Sequence, residues 1–378
     1  MGQFWRDRLR RIRDRLASSP RFQRLAATHP LTRKAAKRRA RAALDLCAGF
    51  VYSQVLLACV RLKLLELLLE SPRSLEQIAE KTELSPEAAA RLLDAAASLG
   101  LVDRRGKGRY GLGDIGAALV GNKAALALVD HQPMLYADLA DPVALLRGAE
   151  DAEPKLADYW PYSAAERPTE LTAEQVAPYS ALMAESQPLV AQEAIAAYSF
   201  RRHRRLMDVG GGEGAFLAAV AARYPKLQLM LFDLPAVVER ARARLKAAGL
   251  AERTAFFMGD FLTDPLPQGA DVIALVRIVH DHDDASALEL LRNARRALPR
   301  DGVLLIIEAM SGMEGAEPLD AYYGFYTLAM GRGEPRTVAE LERIARKAGF
   351  GRFRLLRNPM PIVAGILVAR PDPDYHGP

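Results

Sequence analysis

Residues 206–216 read LMDVGGGEGAF, and this stretch decides the fold of the chain. A short apolar run ends in four glycines within five positions and passes directly into an alanine-rich helical pattern. This order predicts a buried strand, a tight turn and the N-terminus of a helix. Glycines in such a turn allow positive φ angles and the close approach of a ligand, and free N–H groups at the helix start favour an anionic group. The stretch is therefore a candidate binding site for a small ligand.

Three interpretations of this turn compete. The pattern Gly210-x-Gly212-x-x-Ala215 also fits the dinucleotide fingerprint, which is a weak signal by itself, and a strand-to-helix junction that binds nothing would look similar. Asp208 and Glu213, however, bracket the turn with carboxylates. These repel a pyrophosphate and attract a ligand that carries a sulfonium and an ammonium group. The charge therefore favours S-adenosylmethionine over a nicotinamide cofactor.

The next two apolar runs add candidate cofactor ligands. Asp233 ends the run LQLMLFD, where a carboxylate can accept both hydroxyls of a ribose. Asp260 follows in TAFFMGDFL and can accept from the exocyclic amine of an adenine, with Met258 and Phe261 as flanking surfaces. Spacing and charge together support S-adenosylmethionine.

The N-terminal part of the chain is strongly basic. The first 44 residues hold 14 Arg and Lys against two acids, although the net charge of all 378 residues is only +6. In residues 1–42, the segment FWRDRLRRIRDRL places Trp5, Leu9, Ile12 and Leu16 at helical spacing among arginines, which is typical of a basic amphipathic helix at an anionic membrane surface. A solvated arm, a partner-docking segment and a nucleic-acid contact are the alternatives.

Other features of the chain indicate a cytoplasmic protein. The two cysteines, Cys47 and Cys59, lie in one apolar helical segment and are expected to be buried thiols rather than a disulfide. The N-terminus has no continuous apolar core of a signal peptide. The longest apolar run, residues 47–60, is too short for a spanning helix. We expect at most a peripheral contact with the inner or photosynthetic membrane, made by residues 1–42.

Residues 43–198 are predicted to form a helical domain of the winged-helix type. Ser74 with Gln77 forms a capping box, and a basic hairpin, RRGKGRYGL, follows the second helix of the pattern. DNA binding is not expected, because the would-be recognition helix carries three acids and only one basic residue, Arg91. We therefore predict a structural or dimerising role. Helices over residues 115–200 carry His131, Tyr136 and Met183.

Residues 199–378 are predicted to form the catalytic domain. Strand candidates at 206–209, 228–232, 254–258, 271–276 and 303–308 alternate with helices, and two final runs resemble a hairpin. This order predicts an α/β fold with a parallel sheet, helices on both faces and the ligand at the carboxyl ends of the strands.

A histidine follows the fourth of these strands, where a general base should lie. Methyl transfer is an in-line displacement that also requires removal of a proton from the acceptor, and the imidazole of His280 titrates in the right range. Glu308 ends the next strand and is predicted to orient that imidazole, with a ribose or solvent contact as the alternative. Asp281 could cap a helix or contact the cofactor, and Asp283 or Asp284 is expected to cap the following helix. No metal site is expected, because adjacent residues rarely point at one ion.

Several motifs together resemble a known family. DVGGGEG at 208–214, FDLP at 232–235, GDF at 259–261 and the HD at 280–281, all behind a winged-helix pattern, are similar to the S-adenosylmethionine-dependent O-methyltransferases of the caffeate and hydroxyindole type. The resemblance covers roughly residues 45–370. It implies a Rossmann-like class I methyltransferase sheet behind a helical winged-helix dimerisation domain, and a homodimer.

The resemblance also assigns residues by position. It implies cofactor contacts by six residues and by Asp281, His280 as the base, and Met183 as a substrate contact. The six are Asp208, Gly210, Gly212, Asp233, Asp260 and Phe261. Glu308 and Glu334 match the two glutamates that flank the histidine of the family, although Pro335 separates Glu334 from the Arg-Thr that normally follows. A lysine of the plant members is replaced by Val276, and Arg277 beside it is the candidate cofactor contact.

Within the family, the chain looks most like the bacterial carotenoid enzymes, the hydroxyneurosporene or demethylspheroidene O-methyltransferases. That resemblance rests on the basic residues 1–42, on the segment LDLCAGFVYSQVLLACVRLKLLELL that follows them, and on LYADLADPVALLRG. It implies a tertiary hydroxyl of an acyclic carotenoid as acceptor, with His131 and Tyr136 as further candidate substrate contacts. The alternatives are a phenol or bacteriochlorophyll-type tetrapyrrole methyltransferase and a winged-helix regulator that only senses a ligand.

Overall fold

The computed structural model describes residues 2–148, 155–160, 162, 168–313 and 315–375. The chain divides into two compact units, Met1–Gly121 and Asn122–Pro378. The first unit contains helices and a small three-stranded sheet, and the second contains helices and the seven-stranded sheet. The functional domain bounds expected from the sequence, 43–198 and 199–378, stay a prediction.

The first unit is built from helices and a small antiparallel sheet. Its strands are β1 (Arg73–Ser74), β2 (Val102–Arg105) and β3 (Arg109–Leu112), in the order β1-β3-β2. The predicted capping box is present, because Ser74 accepts from the N–H of Gln77 and the Gln77 side chain accepts from the N–H of Ser74. The helices of this unit are Gly2–Ala17, Pro20–Thr28, Arg33–Arg61, Leu64–Glu70, Leu75–Thr82, Pro86–Ser98 and Asp114–Val120.

One helix of the described residues, Arg33–Arg61, is long and apolar enough to cross a membrane by length and composition alone. The apolar run 47–60 was predicted to be too short for a spanning helix, but the helix that contains it extends over Arg33–Arg61 and is long enough. Leu57 and Cys59 are its buried residues, whereas Cys47 is exposed. Both cysteines are free thiols, as predicted, but the prediction that both are buried is wrong for Cys47.

The second unit contains a seven-stranded sheet in the order β6-β5-β4-β7-β8-β10-β9. Its strands are β4 (Arg205–Val209), β5 (Gln228–Asp233), β6 (Thr254–Met258), β7 (Val272–Val276), β8 (Val303–Glu308), β9 (Phe350–Leu356) and β10 (Gly365–Pro371). Strands β4 to β8 pair in parallel, and the β9–β10 hairpin adds an antiparallel edge. The predicted strands and the final hairpin are confirmed.

Helices cover both faces of this sheet. Residues of Ala215–Arg223 and Pro235–Ala247 belong to the core on one face, and residues of Asp284–Ala297 and Val338–Lys347 to the core on the other. The other described α-helices of the unit are Lys123–Asp138, Pro142–Arg147, Lys155–Tyr159, Ala173–Ala197 and Glu317–Met330. Strands β7 and β8 are buried along their whole length, which explains their continuous runs of aliphatic residues. The strand order reverses between β4 and β7, and the crevice at the carboxyl ends of these strands is where a parallel sheet of this kind binds ligands.

Candidate active site

The glycine turn after β4 forms the floor of the site. Gly210 has a φ of 66°, and a Cβ at this position would lie 2.5 Å from Cδ1 of Ile278. Gly212 has a φ of 55°, but no atom lies within 4 Å of a Cβ built there. Gly210 is therefore favoured by its positive φ and by the close approach of the Ile278 side chain, whereas Gly212 leaves open space above the turn.

An open cleft lies above this turn. Its lining includes eight of the residues that the sequence singled out. They are Met183, Gly210, Gly212, Asp233, Asp260, Phe261, Arg277 and Asp281. The predicted cofactor residues, apart from Asp208, thus meet in one place within the second unit.

Asp233 is held in a ligand-ready position by the turn itself. Its carboxylate accepts from the N–H groups of Gly212 at 2.8 Å and of Leu234 at 2.7 Å. Burial raises the pKa of Asp233 to about 6, against the opposing effect of these two donors. The carboxylate is therefore still mainly ionised at neutral pH and able to accept hydrogen bonds.

Neither Asp208 nor Glu213 presents a free carboxylate to the cleft, although their charges were predicted to attract the ligand. Asp208 is buried beneath the turn, and burial together with the charge of Asp233 raises its pKa well above the ordinary value. Glu213 is one of the residues that line the cleft, but its carboxylate pairs with Arg240 at 2.5 Å and with Arg244 at 3.1 Å. The attraction for a cationic ligand therefore rests on Asp233, Asp260 and Asp281 instead.

Of the three residues predicted to surround an adenine, Asp260 and Phe261 line the cleft and Met258 does not. Phe261 lines the cleft, and its ring meets the imidazole of His282 edge to face at 5.4 Å. The N–H of Leu262 donates to Asp260 at 2.9 Å, which fixes that carboxylate at the rim. Met258 is 47% exposed and does not line the cleft, whereas Leu262 and His282 do.

His280 lies directly beside the cleft between two carboxylates. Its Nε2 is 3.0 Å from Oδ1 of Asp281, and its Nδ1 is 3.4 Å from Oε2 of Glu308. Burial by itself lowers the pKa of His280, but the two carboxylates outweigh it and raise the pKa well above the ordinary value. Asp281 and His282 line the cleft, whereas His280 does not.

Glu308 and Glu334 have different positions. Glu308 ends β8 with its side chain fully buried, and it also accepts from the backbone N–H of His280 at 3.1 Å. Glu334 is exposed and meets His280 only through its own backbone N–H, which donates to the His280 carbonyl at 2.8 Å. Among the described residues, Asp281 and Glu308 are the acids within 4.0 Å of the ring, so the carboxylate of Glu334 is not brought to it.

Arg277 connects the cleft to the helix Ala173–Ala197. Its backbone has a φ of 57°, and its guanidinium donates to Oγ of Ser186 at 2.6 Å and to the carbonyl of Met183 at 3.1 Å. Its buried Nε has no hydrogen-bond partner among the described residues. Arg277 therefore positions Met183 and keeps one donor for a ligand.

An aromatic wall was missed by the sequence analysis. Trp160 and Tyr179 line the cleft with ring centroids 4.3 Å apart, together with Gln187. Tyr179, Met183 and Gln187 recur every fourth residue along one helix face. This pattern is equally typical of a buried core, and only the packing shows that it borders a cavity.

His131 and Tyr136 do not line this cleft. His131 is buried, and its Nε2 lies 2.8 Å from the hydroxyl of Tyr326. Tyr136 is partly buried on the same helix. The structure therefore gives neither residue a place in the cleft.

Asp283 and Asp284, which follow β7, make different contacts. Asp283 caps the helix Asp284–Ala297 by accepting from the N–H of Ser286 at 2.8 Å, as predicted. Asp284 instead pairs with Arg336 at 2.9 Å and Arg343 at 2.8 Å. No group of three His, Cys, Asp or Glu side chains that could hold a metal ion occurs within the described ranges.

The cleft suits a ligand with a ribose, an adenine and a cationic centre. Asp233 offers acceptors for the ribose, and the open space at Gly212 allows a ligand to approach the turn closely. The unpaired Nε of Arg277 and the carboxylates at the rim provide opposite charges for the two ends of an amino-acid moiety. The residues present thus fit S-adenosylmethionine.

Comparisons with known proteins agree with this geometry. A model of the O-methyltransferase domain matches residues 136–351, and a model of the O-methyltransferase dimerisation domain matches residues 44–122. A demethylspheroidene O-methyltransferase from Cereibacter sphaeroides is 45% identical over 96% of this chain and 95% of that protein. One from Rhodobacter capsulatus is 42% identical, with coverage of 94% and 88%. A solved methyltransferase of calicheamicin biosynthesis, in SAH-bound form, has a TM-score of 0.74 at 30% identity, with 88% and 98% of the two chains covered.

Proposed function

The chain belongs to the S-adenosylmethionine-dependent O-methyltransferase family, and we propose that it methylates the tertiary hydroxyl of an acyclic carotenoid with His280 as general base. The observation that supports this acceptor is the similarity to two demethylspheroidene O-methyltransferases along nearly the whole chain. The apolar wall of Trp160, Tyr179 and Met183 supports it, because a polyene offers almost only apolar surface for contact.

S-Adenosylmethionine supplies an electrophilic methyl group when it is bound. Asp233 would hold the ribose, Phe261 and Asp260 the adenine, and the turn with Arg277 and Asp281 the amino-acid end. These contacts align the acceptor and the methyl group, which is the main contribution of an enzyme to such a displacement.

His280 would take the proton of the acceptor hydroxyl. Glu308 on the Nδ1 side would retain the proton there, so that Nε2 is the basic nitrogen. Asp281, 3.0 Å from Nε2, would stabilise the imidazolium that forms. A tertiary alcohol is far less acidic than a phenol, so proton removal accompanies methyl transfer rather than preceding it.

The raised pKa of His280 predicts a pH dependence. Only the neutral imidazole accepts a proton, so kcat/KM should fall as the pH falls through a pKa above 6.5, the ordinary histidine value. In Asp281→Asn the loss of one carboxylate should move this acid limb to lower pH. Asp283→Asn is the matched control, because asparagine still caps the helix and the limb should stay in place. An unchanged limb in Asp281→Asn would contradict His280 as the titrating base.

The acceptor is tested by transfer of label from methyl-labelled S-adenosylmethionine. We expect label in a hydroxylated acyclic carotenoid offered in liposomes, and none in a panel of soluble phenols or in a hydroxylated tetrapyrrole. Label in a phenol or tetrapyrrole would overturn the carotenoid proposal and keep the methyltransferase. Tight cofactor binding without label in any acceptor would favour a ligand-sensing protein.

A further inference from the structure

The first two helices expose apolar side chains that the rest of the first unit does not cover. The helix Gly2–Ala17 presents large apolar residues that are all about half exposed or more, and Pro20–Thr28 has no buried residue at all. The exposed side chains of the first helix are Phe4, Trp5, Leu9, Ile12 and Leu16. A set of this kind on one short segment marks a surface that binds something.

The charges of the first helix are arranged around this apolar stripe. Trp5, Leu9, Ile12 and Leu16 follow one face at helical spacing. Counting 3.6 residues per turn places four arginines on the two flanks of that face and both acids on the opposite side. The flanking arginines are Arg6, Arg8, Arg13 and Arg15, and the acids are Asp7 and Asp14. An apolar face bordered by cations is the arrangement of a helix that lies flat in a bilayer interface.

Two observations distinguish this surface from a protein interface. The dimerisation-domain match begins at residue 44, so the two helices lie outside the region by which this family forms dimers. Trp5, with the guanidinium of Arg8 5.5 Å from its ring centroid, combines the amphipathic ring and the cation that the headgroup region favours. Basic residues also continue in the first turns of Arg33–Arg61.

We propose that the surface formed by residues 4–28, here called the arm, docks on an anionic lipid bilayer. The apolar stripe enters the boundary between headgroups and acyl chains, and the flanking arginines bind the lipid phosphates. This inference goes beyond the proposed acceptor and also holds for an enzyme with a different one. For a carotenoid, which dissolves only in the membrane, docking would place the enzyme at the surface that contains its substrate.

The test is sedimentation of the full-length protein with vesicles that contain no acceptor. We expect binding to phosphatidylcholine vesicles with about one third phosphatidylglycerol, little binding to pure phosphatidylcholine, and weaker binding as salt increases. The triple change Arg6→Gln, Arg8→Gln and Arg13→Gln should weaken binding by about tenfold or more, because each arginine near an anionic surface contributes to the affinity. The double change Leu9→Gln and Ile12→Gln should weaken it as well, at unchanged charge.

The matched control removes three exposed arginines of the second unit. Arg352→Gln, Arg354→Gln and Arg357→Gln cause the same loss of net charge, and vesicle binding should remain as in the unchanged protein. If both triple variants bound vesicles equally weakly, net charge alone would explain the loss, and the proposal of a docking surface would be overturned. Unchanged vesicle binding in the arm variants would overturn it too, and a shift from dimer to monomer without a change in vesicle binding would assign the arm to a second copy of the chain.

Methylation separates this inference from the acceptor proposal. Arm variants should retain the rate of the unchanged protein on an acceptor in detergent micelles and lose rate only on the same acceptor in anionic vesicles. An equal loss in both media would show that the arm acts on the fold or the site rather than on the membrane. Failure of the carotenoid as an acceptor leaves the result of the sedimentation test unaffected.

Discussion

His280→Gln should lower kcat by roughly a hundredfold or more while the affinity for S-adenosylmethionine stays within a few fold. Glutamine keeps a hydrogen-bonding side chain between Asp281 and Glu308 but cannot take a proton. The cofactor contacts are made by other residues, chiefly Asp233 and the glycine turn, so binding should survive. Single-turnover transfer of label and calorimetric titration with the cofactor measure the two quantities separately.

His282→Gln is the matched control, because the structure offers a second imidazole two residues away. His282 lines the cleft beside Phe261, and burial lowers its pKa, so it is neutral at pH 7. We expect this variant to weaken cofactor binding and to change kcat little. A larger loss of kcat in His282→Gln than in His280→Gln would move the role of the base to His282.

The fold was largely predictable because its signals are local. Continuous aliphatic runs predicted the strands of the sheet, and the glycines after β4 predicted the turn, where Gly210 and Gly212 adopt positive φ angles. The length of the helix Arg33–Arg61 was underestimated because apolar and basic segments join in one helix without a break. Hydropathy alone does not mark a helix boundary when charged residues are themselves good helix formers.

The site was predictable only where motifs place residues at strand ends. Asp233 ends β5, Asp260 and Asp281 follow β6 and β7, and strand ends meet at one edge of a parallel sheet. Side-chain direction was not predictable: Glu213 turns to Arg240, and Glu334 is exposed. The sequence also could not tell which aromatic residues of the helical segments border the cleft, because a buried ring and a pocket ring follow the same spacing.

Arg336→Met should lower the free energy of unfolding by about 3 kcal/mol or more and also reduce kcat. Arg336 is 1% exposed, and its guanidinium donates to the carbonyls of Val279 and His282, on either side of His280, and to Asp284. Methionine fills a similar volume but removes the guanidinium donor from the carbonyls of Val279 and His282, whereas Asp284 keeps Arg343. The segment that carries His280 would then lose its fixed position. Urea denaturation and amide exchange of residues 279–282 measure the two effects.

Arg343→Met is the control for the ion pair alone, because Arg343 contacts the same Asp284 from the exposed side. An exposed pair contributes little to stability, so this variant should retain both stability and kcat. Arg336→Lys should lie between the two, because an ammonium group keeps the charge but cannot donate to three acceptors in the planar pattern of a guanidinium. If Arg336→Met lost stability and kept the kcat and pH profile of the unchanged protein, Arg336 would support the fold without positioning His280. If Arg343→Met lost as much as Arg336→Met, the common partner Asp284, rather than the two carbonyls beside the base, would be the contact that matters.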